Sequence, residues 1–143
     1  NMTQVDFYIL EPPSLENHER MICNIVEKAW KQGHCIYIRC ADSQTAHNMD
    51  DRLWQFKDVS FVPHSIEAND DQNPPVTLGT AATPSNKTDI YVNLSDELPE
   101  SAQNYSRVIE TAGYDDPSRV AARLRFRLYK EKGFLLNTHN IAG

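Results

Sequence analysis

Short apolar runs alternate with longer segments of helical periodicity along this chain, and the alternation limits the folds open to it. Three short, mostly apolar runs predict strands, and the second is continuous enough to be mostly buried: Val5–Leu10, Cys35–Cys40 and Asp89–Leu94. Between the first two, Leu15–Gln32 repeats its apolar residues at helical spacing, with Ser14 suited to cap its start and Gly33 to end it. Strands separated by helices of this length favour right-handed βαβ units with parallel strands.

The remaining segments extend this pattern. Two further helices are expected, from Asp42 or Ser43 to about Phe56 and from Asp115 or Asp116 to Gly133. Weaker signals predict an extended segment, a short strand and a last strand: Ser60–Ser65, Val76–Leu78 and Arg107–Thr111. The tail that begins at Phe134 has no predicted element. We therefore expect an α/β fold, as one Rossmann-like domain over residues 1–143, with a mostly parallel sheet and helices on both faces.

The turn after the first strand indicates whether such a domain could bind a nucleotide. Phosphate binding requires backbone N–H groups that approach closely at a helix N-terminus, which glycine permits. Here the turn is Glu11-Pro12-Pro13-Ser14, with a carboxylate, two residues that lack an N–H, and no glycine. The five glycines of the chain form neither G-x-G-x-x-G nor G-x-x-x-x-G-K-[ST]. We therefore expect no nucleotide-binding loop and no cofactor.

Other kinds of site also lack support in the sequence. The histidines share no metal-ligand spacing, and the pairs Asp50-Asp51 and Asp70-Asp71 are better explained as solvated charge. No serine or cysteine has an evident base beside it, and there is no apolar run of membrane-spanning length. The net charge of −6 disfavours a surface that binds nucleic acid over its whole area. We expect neither a catalytic centre nor a metal site nor a membrane span.

The cysteines indicate the redox environment in which we expect the protein to occur. Cys23, Cys35 and Cys40 are odd in number and have no C-x-x-C spacing. The first residues show no charged segment followed by an apolar one, as a signal peptide would. We therefore expect reduced thiols in a cytoplasmic protein.

Positive charge in this acidic chain is concentrated in the predicted final helix. Six of its 14 lysines and arginines lie between positions 119 and 132: Arg119, Arg123, Arg125, Arg127, Lys130 and Lys132. At roughly 100° per residue, an apolar side is formed that we expect to be the core face: Val120, Ala121, Leu124 and Leu128. A different side forms a basic stripe with an aromatic residue in it: Arg119, Arg123, Phe126, Arg127 and Lys130. This stripe is either a solvated face or a docking site for an acidic peptide or a nucleic-acid strand.

A series of short patterns extends over nearly the whole chain, and its members in order are Phe7-Tyr8, Trp30, Leu53-Trp54, Ser60-Phe61-Val62-Pro63-His64, Asp89-Ile90, Ala122-Arg123, Tyr129 and Gly133-Phe134-x-Leu136-Asn137-Thr138. The series resembles the chi subunit of bacterial DNA polymerase III, an accessory protein of the clamp-loader complex. The patterns SFVPH and GFxLNT, together and in this order, are the most distinctive part of the resemblance.

The resemblance implies a non-catalytic subunit with two protein partners. One is the psi subunit, which ties chi to the clamp loader, and the segment that the family uses for it corresponds to Trp54, Phe61, Val62 and Pro63. The other is the acidic, aromatic-ended C-terminal tail of single-stranded DNA-binding protein, for which the basic stripe is the receptor. Trp54 could instead be an ordinary core residue.

Each residue of the stripe has an expected role toward that tail. Arg123 and Arg127 are assigned to the carboxylates of the peptide, because a guanidinium offers two parallel donors. Phe126 is assigned to the wall against which the aromatic side chain of the peptide packs, and Arg119 and Lys130 to steering. The family can have Tyr-Lys where this chain has Phe126-Arg127, so a phenolic hydrogen bond would be lost here. Direct binding of nucleic acid is not expected. The alternatives are an α/β enzyme with a degenerate nucleotide site and a direct single-strand binder.

Overall fold

A computed structural model describes residues 3–55, 64–66, 76–85 and 87–142 of the chain. The strands are β1 (Gln4–Glu11), β2 (Ile36–Arg39), β3 (His64–Ile66), β4 (Val76–Gly79), β5 (Ile90–Asn93), β6 (Arg107–Thr111) and β7 (Leu135–Ala142). The helices are α1 (Leu15–Lys31), α2 (Ser43–Gln55) and α3 (Asp116–Glu131), with a short 3₁₀ turn at Ala102–Asn104. The predicted alternation of strands and helices is confirmed in these ranges.

The strands form one sheet in the order β3-β4-β2-β5-β6-β1-β7, and each of its pairings is parallel. Strand β1 lies between β6 and β7, with Gln4 opposite Arg107 on one side and Leu135 on the other. The expected α/β, Rossmann-like fold with a parallel sheet is confirmed.

Each helix begins at a side chain that satisfies a free backbone N–H group. Ser14 Oγ accepts from the Asn17 N–H at 3.2 Å at the start of α1, and Asp115 Oδ1 accepts from the Ser118 N–H at 2.9 Å at the start of α3. After α3, Gly133 adopts a φ of 83°, a left-handed conformation that lets the chain turn into β7. The starts predicted at Ser14 and Asp115 are confirmed.

Two hydrophobic clusters lie on opposite faces of the sheet. The first packs α1 and α2 on one face and is centred on the buried residues Ile22, Val26, Ile38, Leu53 and Ile109. The second packs α3 on the other face and includes Phe7, Tyr37, Tyr91, Val108 and Tyr129. Helices therefore cover both faces of the sheet, as predicted. The basic residues of α3 lie on the side of the sheet opposite α1 and α2.

The tail after α3 forms a strand that the sequence did not predict. Strand β7 pairs with β1 over eight positions, from Gln4 opposite Leu135 to Glu11 opposite Ala142. It lies at the edge of the sheet, and its residues are exposed or half-buried. An edge strand needs no continuous apolar run, so its polar residues gave no strand signal. Arg107–Thr111 is therefore a strand but not the last one.

The thiols are free, and Cys23 and Cys40 are buried as expected. Burial raises the pKa of both thiols to about 12, so neither forms a thiolate at neutral pH. In the part of the chain that the structure describes, no helix is long and apolar enough to cross a bilayer.

Candidate peptide-binding site

The face of α3 that meets the sheet differs from the one predicted from helical spacing. The predicted core face of Val120, Ala121, Leu124 and Leu128 is wrong, because Val120 and Leu124 are 60% and 55% exposed and the other two are only half-buried. The buried residues of the helix are instead Ala122, Arg125 and Tyr129. The helix is thus rotated so that an arginine points inward and two large aliphatic side chains point to solvent.

A buried carboxylate in the sheet explains this rotation. Glu110 on β6 has no exposed surface, and Arg125 Nε donates to its Oε1 at 3.0 Å. The Tyr129 hydroxyl donates to Glu110 Oε2 at 2.7 Å, and Asn93 Nδ2 donates to the same oxygen at 2.9 Å. A buried charge without such partners is strongly destabilising, so the helix presents Arg125 and Tyr129 to the sheet. Arg125 is therefore not part of the surface charge of α3.

The environment shifts the protonation equilibria of this cluster. Burial raises the pKa of Glu110, although the charge of Arg125 and the three hydrogen bonds act in the opposite direction. Burial and the neighbouring Glu110 carboxylate both raise the pKa of Tyr129, which keeps its hydroxyl protonated as a donor. The cluster holds α3 against the sheet in a fixed rotation, and that rotation determines which side chains face outward.

Phe126 lies at the boundary between the core and the surface. It is half-buried, and its ring meets that of Phe7 on β1 edge-on, with centroids 5.2 Å apart and planes at 69°. Phe7 also contacts Tyr129 edge-on at 5.9 Å, so the Phe126 ring rests on a buried aromatic cluster. One edge of the Phe126 ring is fixed by packing while part of its surface remains open.

A groove of about 470 Å³ runs between α3 and the strands β1 and β7. Its lining residues come from all three elements and the end of β6: Phe7, Ile9, Glu11, Ala112, Arg119, Ala122, Arg123, Phe126, Thr138 and Asn140. Its volume lies in the range of ordinary ligand pockets, of roughly 300–1,000 Å³. The groove combines apolar and aromatic walls with two arginines, so it can accept a ligand that has both an apolar side chain and a negatively charged group.

The two arginines of the groove differ in what they already contact. Arg119 pairs with the Glu11 carboxylate and also donates to the Leu10 carbonyl oxygen at 3.4 Å. Arg123 is exposed and pairs with no acidic side chain in the part of the chain that the structure describes. Arg123 can therefore bind a carboxylate of a ligand directly. Arg119 is already paired with the Glu11 carboxylate and would have to bind both.

The other predicted basic residues lie outside this groove. Arg127 and Lys130 are exposed, are absent from the groove lining, and pair with no acid among the described residues. The structure therefore brings together Arg119, Arg123 and Phe126, and it leaves Arg127 and Lys130 on the neighbouring surface of α3. Their assignment to the tail stays a prediction, as do the roles of the three groove residues.

The predicted psi-binding residues are largely beyond what the structure describes. Phe61, Val62 and Pro63 lie outside the described residues. Trp54 lies in α2, but its side chain is not among those described. That assignment also stays a prediction.

Sequence reasoning missed the strand side of the groove. Val5, Phe7 and Ile9 occupy every second position of β1, so their three side chains lie on the same face of the sheet, the one that α3 covers. Thr138 and Asn140 alternate in the same way on β7. The residues of LLNTHNIA that line the groove occupy every second position, which is the spacing of one face of a strand. Because the segment is largely polar, this spacing was not recognised as a strand signal.

Among the described residues, no group of three or more potential metal ligands comes together. In the turn after β1, Ser14 caps α1 and Glu11 pairs with Arg119, so both polar groups of that turn already have partners.

The sequence of the chain is similar to that of a known protein family. Residues 2–137 match the family described as DNA polymerase III chi subunit, HolC. The DNA polymerase III subunit chi of Pseudomonas aeruginosa is 39% identical over 140 residues, covering 98% of both chains. The proteins of the same name from Escherichia coli and Haemophilus influenzae are 29% and 28% identical, over 96% and 94% of this chain and 97% and 95% of their own lengths.

The family match covers far more than half of the chain, and the similarity to the Pseudomonas aeruginosa protein extends over nearly the full length of both. The predicted resemblance is confirmed, and this chain belongs to the family of DNA polymerase III chi subunits.

Proposed function

We propose that this chain is a non-catalytic accessory subunit of DNA polymerase III in the cytoplasm that links the clamp-loader complex to single-stranded DNA-binding protein. The link would run through the psi subunit on one side and through the acidic C-terminal tail of single-stranded DNA-binding protein on the other. The observation that supports the tail contact most directly is the groove beside α3, which combines Phe126 with Arg123, an arginine that pairs with no acid among the described residues.

The groove matches the chemistry of such a tail end. An aromatic side chain would pack against Phe126 and the apolar part of β1, and burying it contributes roughly 1.5–3 kcal/mol. The terminal carboxylate would lie beside Arg123, whose guanidinium can bind it through two parallel hydrogen bonds. Acidic residues before the end would meet Arg127 and Lys130, which are exposed on the same helix. Such rim charges mainly raise the association rate.

Calorimetric titration with a synthetic acidic peptide that ends in phenylalanine tests this proposal. We expect the peptide to bind with its C-terminus free and to bind much more weakly when that carboxylate is amidated, since only the terminal charge changes. Equal binding of both forms would contradict the role of the groove.

The same titration with a single-stranded oligonucleotide separates the tail receptor from a direct single-strand binder. The overall charge of −6 disfavours a surface that binds nucleic acid over its whole area, so we expect the naked oligonucleotide to bind hardly at all at physiological salt. Oligonucleotide binding that falls steeply with salt, without peptide binding, would support the direct binder instead.

A further inference from the structure

Two large aliphatic side chains of α3 face solvent side by side. Val120 and Leu124, here called the apolar ridge, are 60% and 55% exposed. They are four residues apart and are therefore neighbours on the helix surface. Isolated exposed aliphatic residues are common and need no explanation. This pair is not isolated, because the exposed Arg123 and Arg127 lie beside it.

The ridge and the groove lie on different sides of the same helix, with cations between them. By the 3.6-residue period, Leu124 is roughly 160° around the helix from Phe126, and Arg123 and Arg127 fall in the arc between the two. Arg123 also lines the groove, so the basic surface is continuous from the groove to the ridge. A chain that leaves the groove over these arginines therefore reaches the ridge next.

The charge of this surface indicates what would cover it. A second copy of the chain, packed ridge to ridge, would bring its own Arg123 and Arg127 close to the same two arginines, and like charges at short range repel. An acidic segment with apolar side chains is complementary to both the arginines and the ridge. The occupant that fits is therefore an acidic chain and not a second copy.

We propose that the apolar ridge is a second subsite for the acidic tail whose end occupies the groove, and that it binds apolar residues upstream of the acidic ones. This inference rests on the proposed function. An α-helix is about 10–12 Å in diameter, so an arc of roughly 160° over the arginines is about 15 Å long and takes about five extended residues. The ridge would then bind apolar side chains about six to eight residues before the end of the tail.

Three synthetic peptides test the ridge apart from the groove. The short one has four residues, with aspartates before a terminal phenylalanine. The long one has twelve residues and adds aspartates and, upstream of them, two leucines. The third is the long peptide with serine in place of those leucines. Each is titrated into the wild type and into the variants Val120→Thr and Leu124→Gln, with Leu15→Gln as the control because Leu15 is 50% exposed on α1.

We expect the wild type to bind the leucine peptide about fivefold more tightly than the serine peptide. Val120→Thr and Leu124→Gln should remove that difference and leave binding of the short peptide unchanged, and Leu15→Gln should change neither. Since the ridge is exposed, both ridge variants should keep the thermal unfolding midpoint of the wild type.

Two results would overturn the inference while leaving the proposed function intact. One is that the ridge variants bind all three peptides like the wild type. The other is that the wild type forms a dimer in light scattering which Leu124→Gln abolishes, so that the ridge belongs to a second copy. If the short peptide fails to bind the wild type at all, the proposed function itself is contradicted.

Discussion

The Arg125 guanidinium donates to the Glu110 carboxylate at 3.0 Å, with both side chains inside the protein between α3 and the sheet. Within α3, Arg125 lies between Arg123 and Phe126, which line the groove. The orientation of the candidate binding surface therefore depends on a contact that no ligand touches.

Replacing Arg125 should destabilise the fold strongly. Arg125→Met leaves Glu110 buried without its cation, and we expect a loss of about 3 kcal/mol or more in the free energy of unfolding. Adding Glu110→Gln removes the unpaired charge, so the double variant should be more stable than the sum of the two single changes by about 1 kcal/mol or more. Urea denaturation measures all four proteins, with Arg127→Met as the exposed control. Simple additivity would mean that the pair is not coupled.

Asp6 should make the stability depend on pH in the acid range. Burial acts to raise the pKa of Asp6, but hydrogen bonds from Arg107, His139 and Gln4 outweigh it and lower the pKa below its ordinary value. A lowered pKa in the folded state gives stability that is present above the unfolded pKa of about 3.9 and is lost as pH falls through the folded value.

The test of this effect compares the wild type with Asp6→Asn in urea at pH 7, 5, 4 and 3. We expect the variant to be less stable by about 3 kcal/mol at pH 7, because Arg107 loses a carboxylate that has no exposed surface. The difference should shrink below about pH 4, as the wild-type carboxyl takes up its proton. A constant difference over the whole range would rule out titration of Asp6 as the cause.

The basic residues of α3 should differ in their effect on the affinity for the tail peptide. Arg123→Ala should cost about 2 kcal/mol, or roughly 30-fold in Kd, because it removes the groove arginine that has no acidic partner among the described residues. Arg127→Ala and Lys130→Ala should each cost about 1 kcal/mol or less, as exposed charges do, and the loss should diminish at high salt. Calorimetry at two salt concentrations gives this ranking. Wild-type affinity for Arg123→Ala would place the tail elsewhere.

Glu11→Gln should strengthen binding of the same peptide. Glu11 lines the groove and pairs with Arg119, so it repels a carboxylate and occupies a cation that could bind one. Removing its charge should lower the Kd about threefold, with the gain diminishing as salt rises. Glu16→Gln is the matched control, since Glu16 lies on α1 and is exposed. An unchanged or weaker affinity for Glu11→Gln would show that the peptide does not approach this end of the groove.

The psi assignment predicts a different set of sensitive residues. Trp54→Ala and Phe61→Ala should each reduce co-purification with psi, because loss of a central aromatic anchor typically costs about 2 kcal/mol or more. Neither variant should alter binding of the tail peptide, and Arg123→Ala should leave psi recovery unchanged. Circular dichroism must first show that both variants are folded. Full recovery of psi with both would remove these residues from the interface.

The sequence pattern predicted the inner strands of the sheet, but it did not predict which side of α3 faces solvent. Strands β2 and β5 are mostly apolar, with one polar residue each at Arg39 and Asn93, so both could be predicted as strands and β2 as a buried one. The orientation of α3 could not, because a hydrophobic stripe is a guide only when the sheet opposite it is apolar. Glu110 makes that part of the sheet polar, and its partner in the chain could not be identified before the packing was known.

The candidate site was predicted on its helix side only. Arg119, Arg123 and Phe126 were identified by their spacing on α3, and they do share the groove. The opposite wall consists of side chains from β1 and β7 that lie more than a hundred residues apart in sequence, as Phe7 and Thr138 do. No local pattern relates such positions, since only the pairing of the strands brings them together.

The position of β1 between β6 and β7 has a consequence for how the protein is made. A ribosome releases β1 before both strands that flank it, which come from beyond residue 106. Strand β1 therefore has neither neighbour until those later segments have been translated, and contacts of such long sequence separation form slowly. The wall shared by β1 and β7 is then the last part of the groove to form. A nascent chain has no complete groove before β7 has been translated.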